Sequence, residues 1–461
     1  MSRPGDYFNF FIVSALTTSD DNPIDITVSD VKPAFINHVL PLQKGVTMYS
    51  DNGLFLLFTE SDVFSPTTAR LKKISSYECD ASLQPRDMGT SVMFTSNVGA
   101  YTRAFEVTLL DDDLAPRVLE QTRVVPEYIP KTVSVSAGSA SLGIVTFGVK
   151  NSSEIYHYKY YDSGERRDQS AWYSWTLTGT MQHMAYSGGT FYVVTKQGDD
   201  YILCKHEYTT DISSNSGSAE HADYTVGGSK LNVGSPLHTV RSFEACLDNM
   251  LVPKTITYTA ASGNDPEKSV LTFRLDAANG YQPTSASNFY ALGMNGNNAG
   301  MVVKADSVAN NSATFNNINM TGWEVAVGYG YTSTIELPDY YFTLEANRYD
   351  TNGSLRISGI NFDLGVSGPM EFHLTAKQSY VDSAGTVTKE FDDYIQYESG
   401  MVTGLATLGD VPSELNKTVR VPIQKKNNKY NLQIKIPDPF STALISANWD
   451  GIYNQRRHAR K

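Results

Sequence analysis

The chain has 461 residues, of which 41% are hydrophobic, 11% aromatic and 19% charged, and its formal net charge is −12. This length predicts two to four structural units, because single cores stop growing at roughly 250–300 residues. The acidic balance argues against a protein that wraps nucleic acid with a basic face. It is compatible with an acidic channel that repels the phosphates of passing DNA.

The N-terminal residues already carry several aromatic side chains, at Tyr7, Phe8, Phe10 and Phe11. Such a run is typical of the interior of a fold, and we interpret it as a β-strand. No signal peptide is predicted, because polar residues interrupt the apolar run and no charged n-region precedes it. No apolar stretch reaches about 18 residues, so no membrane span is expected.

Short apolar or aromatic runs separated by Gly, Asn and Asp predict antiparallel strands in the first part of the chain. Asp51-Asn52-Gly53, for example, is a turn sequence, because Asn and Gly tolerate positive φ. Strand-turn-strand units are predicted at residues 46–61, 91–107, 142–161 and 183–208. Their spacing of roughly 40–50 residues suggests the blades of a β-propeller.

Three domains are predicted. Residues 1–208 form an incomplete β-propeller-like domain, residues 209–320 a loop-rich β-insertion with long turns and a polar surface, and residues 321–461 a C-terminal β-domain. The fold class is therefore all-β, with a partial propeller-like N-terminal part and further antiparallel β-domains.

The C-terminal domain has the clearest alternation. Apolar residues alternate over 360–366, and again over 419–423 and 430–436, where the intervening KKNNK predicts the turn of a hairpin. A final strand contains Trp449 and Tyr453.

Two acidic segments could suggest metal binding. Asp111, Asp112 and Asp113 are adjacent, so their side chains alternate between faces and converge poorly on one ion. A solvated turn is the preferred interpretation. The segment DTNGS, residues 350–354, resembles the start of a calcium loop, but Asn361 stands where the bidentate Glu is needed. It is predicted to be a hairpin turn.

His157 and His206 lie in comparable predicted strands, and partly exposed strand histidines are preferred over a zinc site. The cysteines are odd in number and widely spaced, which predicts buried or unreactive thiols in a reducing cytoplasm. They are Cys79, Cys204 and Cys246.

Four cations end the chain, and they are interpreted as a solvated tail that could alternatively bind a phosphate or an acidic partner. They are Arg456, Arg457, Arg460 and Lys461. HExxH, GxSxG, Walker A and GxGxxG motifs are absent from the sequence, so no catalytic, metal-binding or cofactor-binding residue is assigned and no cofactor is expected.

Several segments together resemble tail tubular protein B, the nozzle protein family of short-tailed bacteriophages. Gly5 to Phe10 match its Gly-Asp-Tyr-Phe-Asn-Phe core, which leads into an Asp-x-Pro-Ile-Asp segment beginning here at Asp21. The remaining matches are His38 with Pro41, the LLFTE run at 56–60, VPEYIP at 125–130, WYSWTL at 172–177 and GGTFYVVTKQG at 188–198.

The resemblance implies a non-enzymatic virion protein, assembled in the host cytoplasm. It implies a six-fold homo-oligomeric ring in the distal tail tube, which contacts the adaptor, tail tubular protein A, and the tail fibres. Such a ring closes the DNA channel and conducts DNA during ejection. Residues 209–320 are expected to dock fibres or line the tail tip.

This sequence lacks the long N-terminal region that the family normally has before Gly5. The aromatic segment is therefore interpreted as a blade strand without its upstream neighbours. The alternative function is a carbohydrate-binding or glycan-degrading β-protein of the tail, suggested by a predicted β-surface rich in Tyr and Asn, in a chain with 28 tyrosines.

Overall fold

The structure is a computed structural model, and within the residues that it describes it contains strands and turns but no helix. The all-β prediction is confirmed. The chain divides into two compact units, Met1–Tyr208 and Thr209–Lys461. The described residues are 2–3, 6, 8–12, 19–27, 32–42, 45–59, 64–110, 115–163, 166–208, 225–226, 229–230, 246–251, 253–273, 285–293, 301–309, 311–345, 348–350, 353–365, 367, 369–381, 387–389, 391–397, 417–437, 439, 442 and 444–454.

The first unit consists of four antiparallel sheets that follow one another along the chain. Sheet 1 contains β1 (Ile36–Leu42), β2 (Gly45–Ser50), β3 (Gly53–Thr59) and β4 (Ala69–Ser75). Sheet 2 contains β5 (Arg86–Asp87), β6 (Ser91–Val98), β7 (Tyr101–Leu110) and β8 (Ala115–Glu120). Sheet 3 contains β9 (Val135–Ser139), β10 (Ile144–Gly148), β11 (Glu154–Ser163) and β12 (Arg166–Thr176). Sheet 4 contains β13 (Thr180–Ser187), β14 (Thr190–Gln197) and β15 (Asp200–Glu207).

In each of these sheets the strands pair in chain order, as in a meander. The four predicted strand-turn-strand units are confirmed. Three are the hairpins β2–β3, β6–β7 and β10–β11, and the fourth is the three-stranded meander β13–β14–β15. Glycine permits the turns, since Gly188 and Gly189 have φ of 57° and 84° between β13 and β14. A meander of four strands is also the topology of a propeller blade, but closure into a propeller stays a prediction.

A separate hydrophobic core lies between each pair of consecutive sheets. In β6, Val92 and Phe94 belong to the core shared with sheet 1, whereas Met93 belongs to the core shared with sheet 3. In β11, Tyr158 faces sheet 2 and Ile155 faces sheet 4. Because side chains alternate along a strand, sheets 2 and 3 are buried on both faces.

The prediction of a blade strand at the N-terminal aromatics is wrong for the residues that the structure describes there. Residues 8–12 belong to no strand, and Phe8 is 93% exposed. The physical reason is that this segment contacts no core, so its aromatic character alone does not produce sheet pairing.

The second unit contains twenty-one described strands in shorter sheets. They are β16 (Thr225–Val226), β17 (Ser229–Lys230), β18 (Asp248–Leu251), β19 (Pro253–Thr259), β20 (Lys268–Phe273), β21 (Phe289–Gly293), β22 (Val302–Lys304), β23 (Ser307–Ala309), β24 (Ser312–Asn316), β25 (Val325–Tyr329), β26 (Ser333–Glu336), β27 (Phe342–Glu345), β28 (Arg348–Asp350), β29 (Ser354–Leu364), β30 (Met370–Ala376), β31 (Ser379–Val381), β32 (Val387–Lys389), β33 (Asp392–Tyr397), β34 (Lys417–Lys426), β35 (Tyr430–Ile436) and β36 (Leu444–Asn454).

Two sandwiches account for the cores of this unit. Sheet 5 has the order β18-β25-β21-β22 and sheet 6 the order β19-β20-β24-β23, with Phe289 and Phe315 in the core between them. The Asn- and Ala-rich region thus holds a packed core as well as turns. β25 lies beyond the predicted boundary at residue 320 but pairs with β18 and β21, and the three-domain division stays a prediction.

The second sandwich is formed by sheets 7 and 8, and its topology contradicts the predicted hairpin over residues 419–436. Sheet 7 has the order β26-β35-β30-β33 and sheet 8 the order β34-β29-β36, so β34 and β35 are consecutive but belong to different sheets. The predicted hairpin is therefore wrong, although its turn exists and its alternation is confirmed. Val421 of β34 and Leu432 of β35 share one core. Alternate residues of each strand are apolar and lie on one face. These apolar faces pack against each other across the sandwich, which buries the same side chains that a hairpin would have placed on one face of a sheet.

Candidate functional site

A buried ion pair joins sheets 2 and 3. Glu106 of β7 is 5% exposed and lies opposite Arg167 of β12. Arg167 donates through Nη2 to Glu106 Oε1 at 2.9 Å and through Nη1 to the second carboxylate oxygen. Ser91 Oγ and Gln121 Nε2 donate to the same carboxylate at 2.5 Å and 2.6 Å. Such a fully hydrogen-bonded bidentate pair fixes geometry as well as charge.

Arg167 has further partners on its own sheet. Its Nε donates to Asp162 Oδ1 at 2.8 Å, and its guanidinium carbon lies 4.7 Å from the ring centroid of Tyr160. Burial by itself lowers the pKa of Arg167, but hydrogen bonds to Asp162 and Glu106 outweigh it and leave the pKa raised. The guanidinium is therefore a permanent cation between the two sheets.

Arg86 and Tyr160 make further polar contacts between the same two sheets. Arg86 of β5 donates to the Ser136 hydroxyl of β9 at 2.9 Å and to the Ser136 carbonyl at 2.6 Å. The Tyr160 hydroxyl donates to the carbonyl of Met88 at 2.8 Å. These bonds and the ion pair hold the two sheets in one orientation, which is a mechanical role rather than a chemical one. Sequence reasoning missed them because no local pattern relates partners so far apart in the chain.

His157 lies in the core between sheets 3 and 4. Its exposure is 0%, so the prediction of a partly exposed strand histidine is wrong for this residue. The aromatic residues of the neighbouring strands enclose it, with the Trp175 ring centroid 4.3 Å away. Its Nδ1 lies 2.8 Å from Thr146 Oγ1, which in turn lies 2.7 Å from the Tyr186 hydroxyl. Burial lowers the pKa of His157 to about 3, and the charge of His206 acts in the same direction.

His206 is brought into the same cluster, with its ring 5.0 Å from that of Trp175. Among the described residues, however, no three His, Cys, Asp or Glu side chains gather closely enough to hold a metal ion. A neutral buried histidine held by Thr146 is better explained as a core residue with a satisfied Nδ1.

The carboxylate of Asp350 is occupied by protein groups. Its Oδ1 accepts from the Gly353 amide at 2.9 Å, and its Oδ2 accepts from the Tyr453 hydroxyl. Asn361 lies within β29 and accepts from Arg420 at 3.4 Å. Among the described strands, β28 pairs with β27 and β29 pairs with β34 and β36, so the hairpin predicted around DTNGS is wrong.

The other candidates give little chemistry. Asp111, Asp112 and Asp113, and the cationic residues 455–461, lie outside the described residues. None of the three cysteines forms a disulfide. Cys79 is buried, and desolvation raises the pKa of its thiol to about 12, which makes it unreactive. Within the described part of the chain, no helix has the length and apolar character needed to cross a membrane.

Four antiparallel sheets in chain order, of which sheets 2 and 3 are buried on both faces and joined by polar bridges, define an all-β unit built from stacked sheets. The model of the bacteriophage nozzle protein family matches residues 1–460, and the chain belongs to that family.

A curated relative is tail tubular protein gp12 of Escherichia phage T7. It is 26% identical over 217 residues, which are 46% of this chain and 26% of the relative. The chain thus aligns with about a quarter of the length of the curated relative it matches.

Solved structures resemble the chain only weakly. The β-fructofuranosidase of Schwanniomyces occidentalis is 8% identical, with 94% of this chain and 97% of that chain covered, at a TM-score of 0.19. The exo-β-1,3-galactanase of Phanerochaete chrysosporium is 11% identical, with 89% and 80% covered, at a TM-score of 0.16. Such scores carry no argument about function.

Proposed function

We propose that the chain is a structural subunit of the distal tail tube, the nozzle, which closes the DNA channel before infection and conducts DNA during ejection. The observation that carries this proposal is the match of the nozzle family along residues 1–460. The buried Glu106–Arg167 bridge supports it, since a channel wall under load needs layers that do not slide.

The assembled form is a six-fold ring of identical subunits in the virion tail, built in the host cytoplasm. It contacts the adaptor ring, tail tubular protein A, and the tail fibres. The four successive sheets of residues 36–207 form its propeller-like part, and residues 255–320 lie at the periphery, where they dock fibres or line the tail tip.

The lumen of this ring is acidic, with few Lys or Arg side chains. The net charge of −12 supports this arrangement. DNA leaving the capsid passes such a wall without forming ion pairs, whereas a basic wall would hold the phosphates and retard ejection.

The role is mechanical and not enzymatic. Two carboxylates of the described residues are engaged in packing: Glu106 accepts from Arg167, Ser91 and Gln121, and Asp350 accepts from Gly353 and Tyr453. A catalytic carboxylate would instead need to reach a substrate.

Electron microscopy of the purified chain with its adaptor tests the proposal. Six-fold rings stacked on the adaptor are expected. Persistent monomers without affinity for the adaptor would overturn it. A high-resolution reconstruction of the ring tests the lumen separately, because a lining rich in Lys and Arg would contradict the conduction mechanism.

A further inference from the structure

Sheet 7 presents a polar face on the side that points away from sheet 8. In β30 and β35, buried and half-buried residues alternate, and the buried ones, such as Phe372 and Ile434, belong to the core shared with sheet 8. Because successive side chains of a strand point to opposite faces, the residues between them lie on the outer face of sheet 7. All four strands of this sheet lie within the described residues.

One row of the outer face crosses all four strands. The residues that lie directly opposite one another along it are Glu336 of β26, Gln433 of β35, His373 of β30 and Tyr394 of β33. Neighbouring strands are about 4.8 Å apart, so the row is about 14 Å long. It is therefore an extended line of hydrogen-bonding groups that ends in an aromatic ring.

The side chains of this row are held in place by their neighbours. Gln433 Nε2 donates to Glu336 Oε2 at 3.3 Å, and His373 Nε2 lies 2.7 Å from Oε2 of Glu371, two residues back along β30. The ring of Tyr394 stacks on that of His373, with centroids 5.7 Å apart and planes at 20°, and Tyr394 is 63% exposed. The row is thus ordered before any ligand binds, which lowers the entropic cost of binding.

The composition of this face favours a neutral ligand rich in hydroxyl groups. A second row beside the first consists of Thr334, Lys435, Glu371 and Gln396. The two rows together offer both donors and acceptors, and a sugar hydroxyl is a donor and an acceptor at once. A polyanion such as a nucleic acid would meet two carboxylates, Glu336 and Glu371, for one ammonium, Lys435, and is disfavoured.

We propose that the outer face of sheet 7 binds a neutral oligosaccharide. One sugar ring packs its apolar C–H face on Tyr394, and the hydroxyls of the adjoining rings bond to His373, Gln433 and Glu336. A partner protein fits this face less well, because the large apolar side chains that anchor protein interfaces point here into the core. The inference goes beyond the proposed nozzle function, because it concerns what the subunit surface holds and not how subunits form a ring.

An array of neutral and anionic oligosaccharides, probed with the full-length chain, tests the class of ligand. Binding to one or more neutral oligosaccharides is expected. Silence across the array, or binding confined to anionic glycans, would overturn the proposal. Titration calorimetry with the neutral oligosaccharide that gives the strongest signal then measures the affinities of variants.

Replacing Tyr394 tests the aromatic end of the row. Tyr394→Ala is expected to weaken binding by about tenfold, because it removes the ring surface, whereas Tyr394→Phe keeps the ring and most of the affinity. Tyr161→Ala is the matched control, since Tyr161 is also 63% exposed but lies in β11 of sheet 3. Unchanged affinity in Tyr394→Ala, or an equal loss in Tyr161→Ala, would assign the binding to another surface and overturn the proposal.

Replacing Gln433 tests the polar part of the row. Gln433→Ala is expected to weaken binding by about fivefold, as the loss of one or two neutral hydrogen bonds does. Thermal melts of both variants should match the wild type, because both changes lie on the outer face. Unchanged affinity in Gln433→Ala would overturn the assignment of the row.

Electron microscopy of Tyr394→Ala with the adaptor separates this inference from the proposed ring. Rings that form as in the wild type are expected, together with the loss of oligosaccharide binding. A wild-type chain that forms rings but binds no oligosaccharide would overturn the binding site alone. Loss of the rings in Tyr394→Ala would make Tyr394 an assembly contact and would overturn its assignment to a ligand.

Discussion

Arg167 and Glu106 are 61 positions apart in the chain, yet both terminal nitrogens of the Arg167 guanidinium donate hydrogen bonds to the Glu106 carboxylate. The pair crosses from sheet 3 to sheet 2. It therefore ties together layers that the hydrophobic cores alone would hold without fixing their relative orientation.

Replacing Arg167 with Leu is expected to lower the free energy of unfolding by about 3–5 kcal/mol, because it leaves the Glu106 carboxylate buried and uncompensated. Urea denaturation of the full-length chain, followed by tryptophan fluorescence, measures the loss. Adding Glu106→Leu to this variant should restore most of the stability, since two apolar side chains then face each other.

The matched control for this substitution is Arg103→Leu. Arg103 lies 3.7 Å from Glu120, but its side chain is 41% exposed. A solvated pair of this kind contributes less than about 1 kcal/mol. Equal losses in the Arg167 and Arg103 variants would contradict a special role for the buried pair.

His157 is expected to make stability depend on pH. Burial lowers the pKa of His157 to about 3 in the folded state, against about 6.5 in the unfolded chain. The unfolded state therefore binds the extra proton first as the pH falls. The stability contributed by neutral His157 is fully present above about pH 6.5 and is lost progressively between pH 6.5 and 3, by up to about 1.4 kcal/mol per pH unit.

His157→Phe removes this titration, so its stability should fall less steeply than that of the wild type between pH 6.5 and 4. His183→Phe is the control, because His183 is exposed on the outer face of β13. Thermal unfolding across this pH range compares the three chains. Parallel curves for wild type and His157→Phe would show that acid sensitivity arises elsewhere.

A glycine on the approach to β10 is expected to be irreplaceable. Gly143 has φ of 59°, and a Cβ built on it would lie 2.3 Å from the backbone oxygen of Tyr160. Gly143→Ala should cost more than about 2 kcal/mol, because both the conformation and the space are unsuitable. Gly99→Ala separates the two effects, since Gly99 has φ of 81° but open space, and should cost about 1 kcal/mol. Thermal melts of both variants give the difference.

Calcium is expected not to stabilise the chain through the DTNGS segment. The Asp350 carboxylate already accepts from Gly353 and Tyr453, and Asn361 offers no bidentate carboxylate. Melting temperatures with millimolar calcium and with a chelator should agree. Tyr453→Phe, which removes the hydroxyl that donates to Asp350 Oδ2, is the comparison chain. A rise with calcium in the wild type, lost in Asp350→Asn, would establish the site instead.

Local signals were sufficient to predict much of the first unit from the sequence. Glycine pairs such as Gly188-Gly189 mark turns because few other residues adopt positive φ, and alternation in β14 indicates which face is dry. The β34–β35 prediction failed because alternation indicates a dry face without indicating what covers it. Pairing in a hairpin and facing across a sandwich leave the same pattern.

The buried polar groups could not be predicted, because their burial depends on neighbours distant in the chain. His157 looks like any strand histidine until Trp175 and Tyr186 enclose it. In the sequence, Glu106 has the pattern of a surface carboxylate, and only the packing of sheet 3 places Arg167 against it. Single-sequence patterns carry no information on such partners.

The double-faced burial of β6 also constrains how this protein can evolve. Six consecutive side chains, residues 91–96, are at most 2% exposed, whereas β14 has a half-buried position at every second residue. Every second position of β14 can therefore accept substitutions without loss of packing, whereas the positions of β6 cannot. Accepted changes in β6 must be compensated in sheet 1 or sheet 3, and paired substitutions between these layers should mark the history of the family.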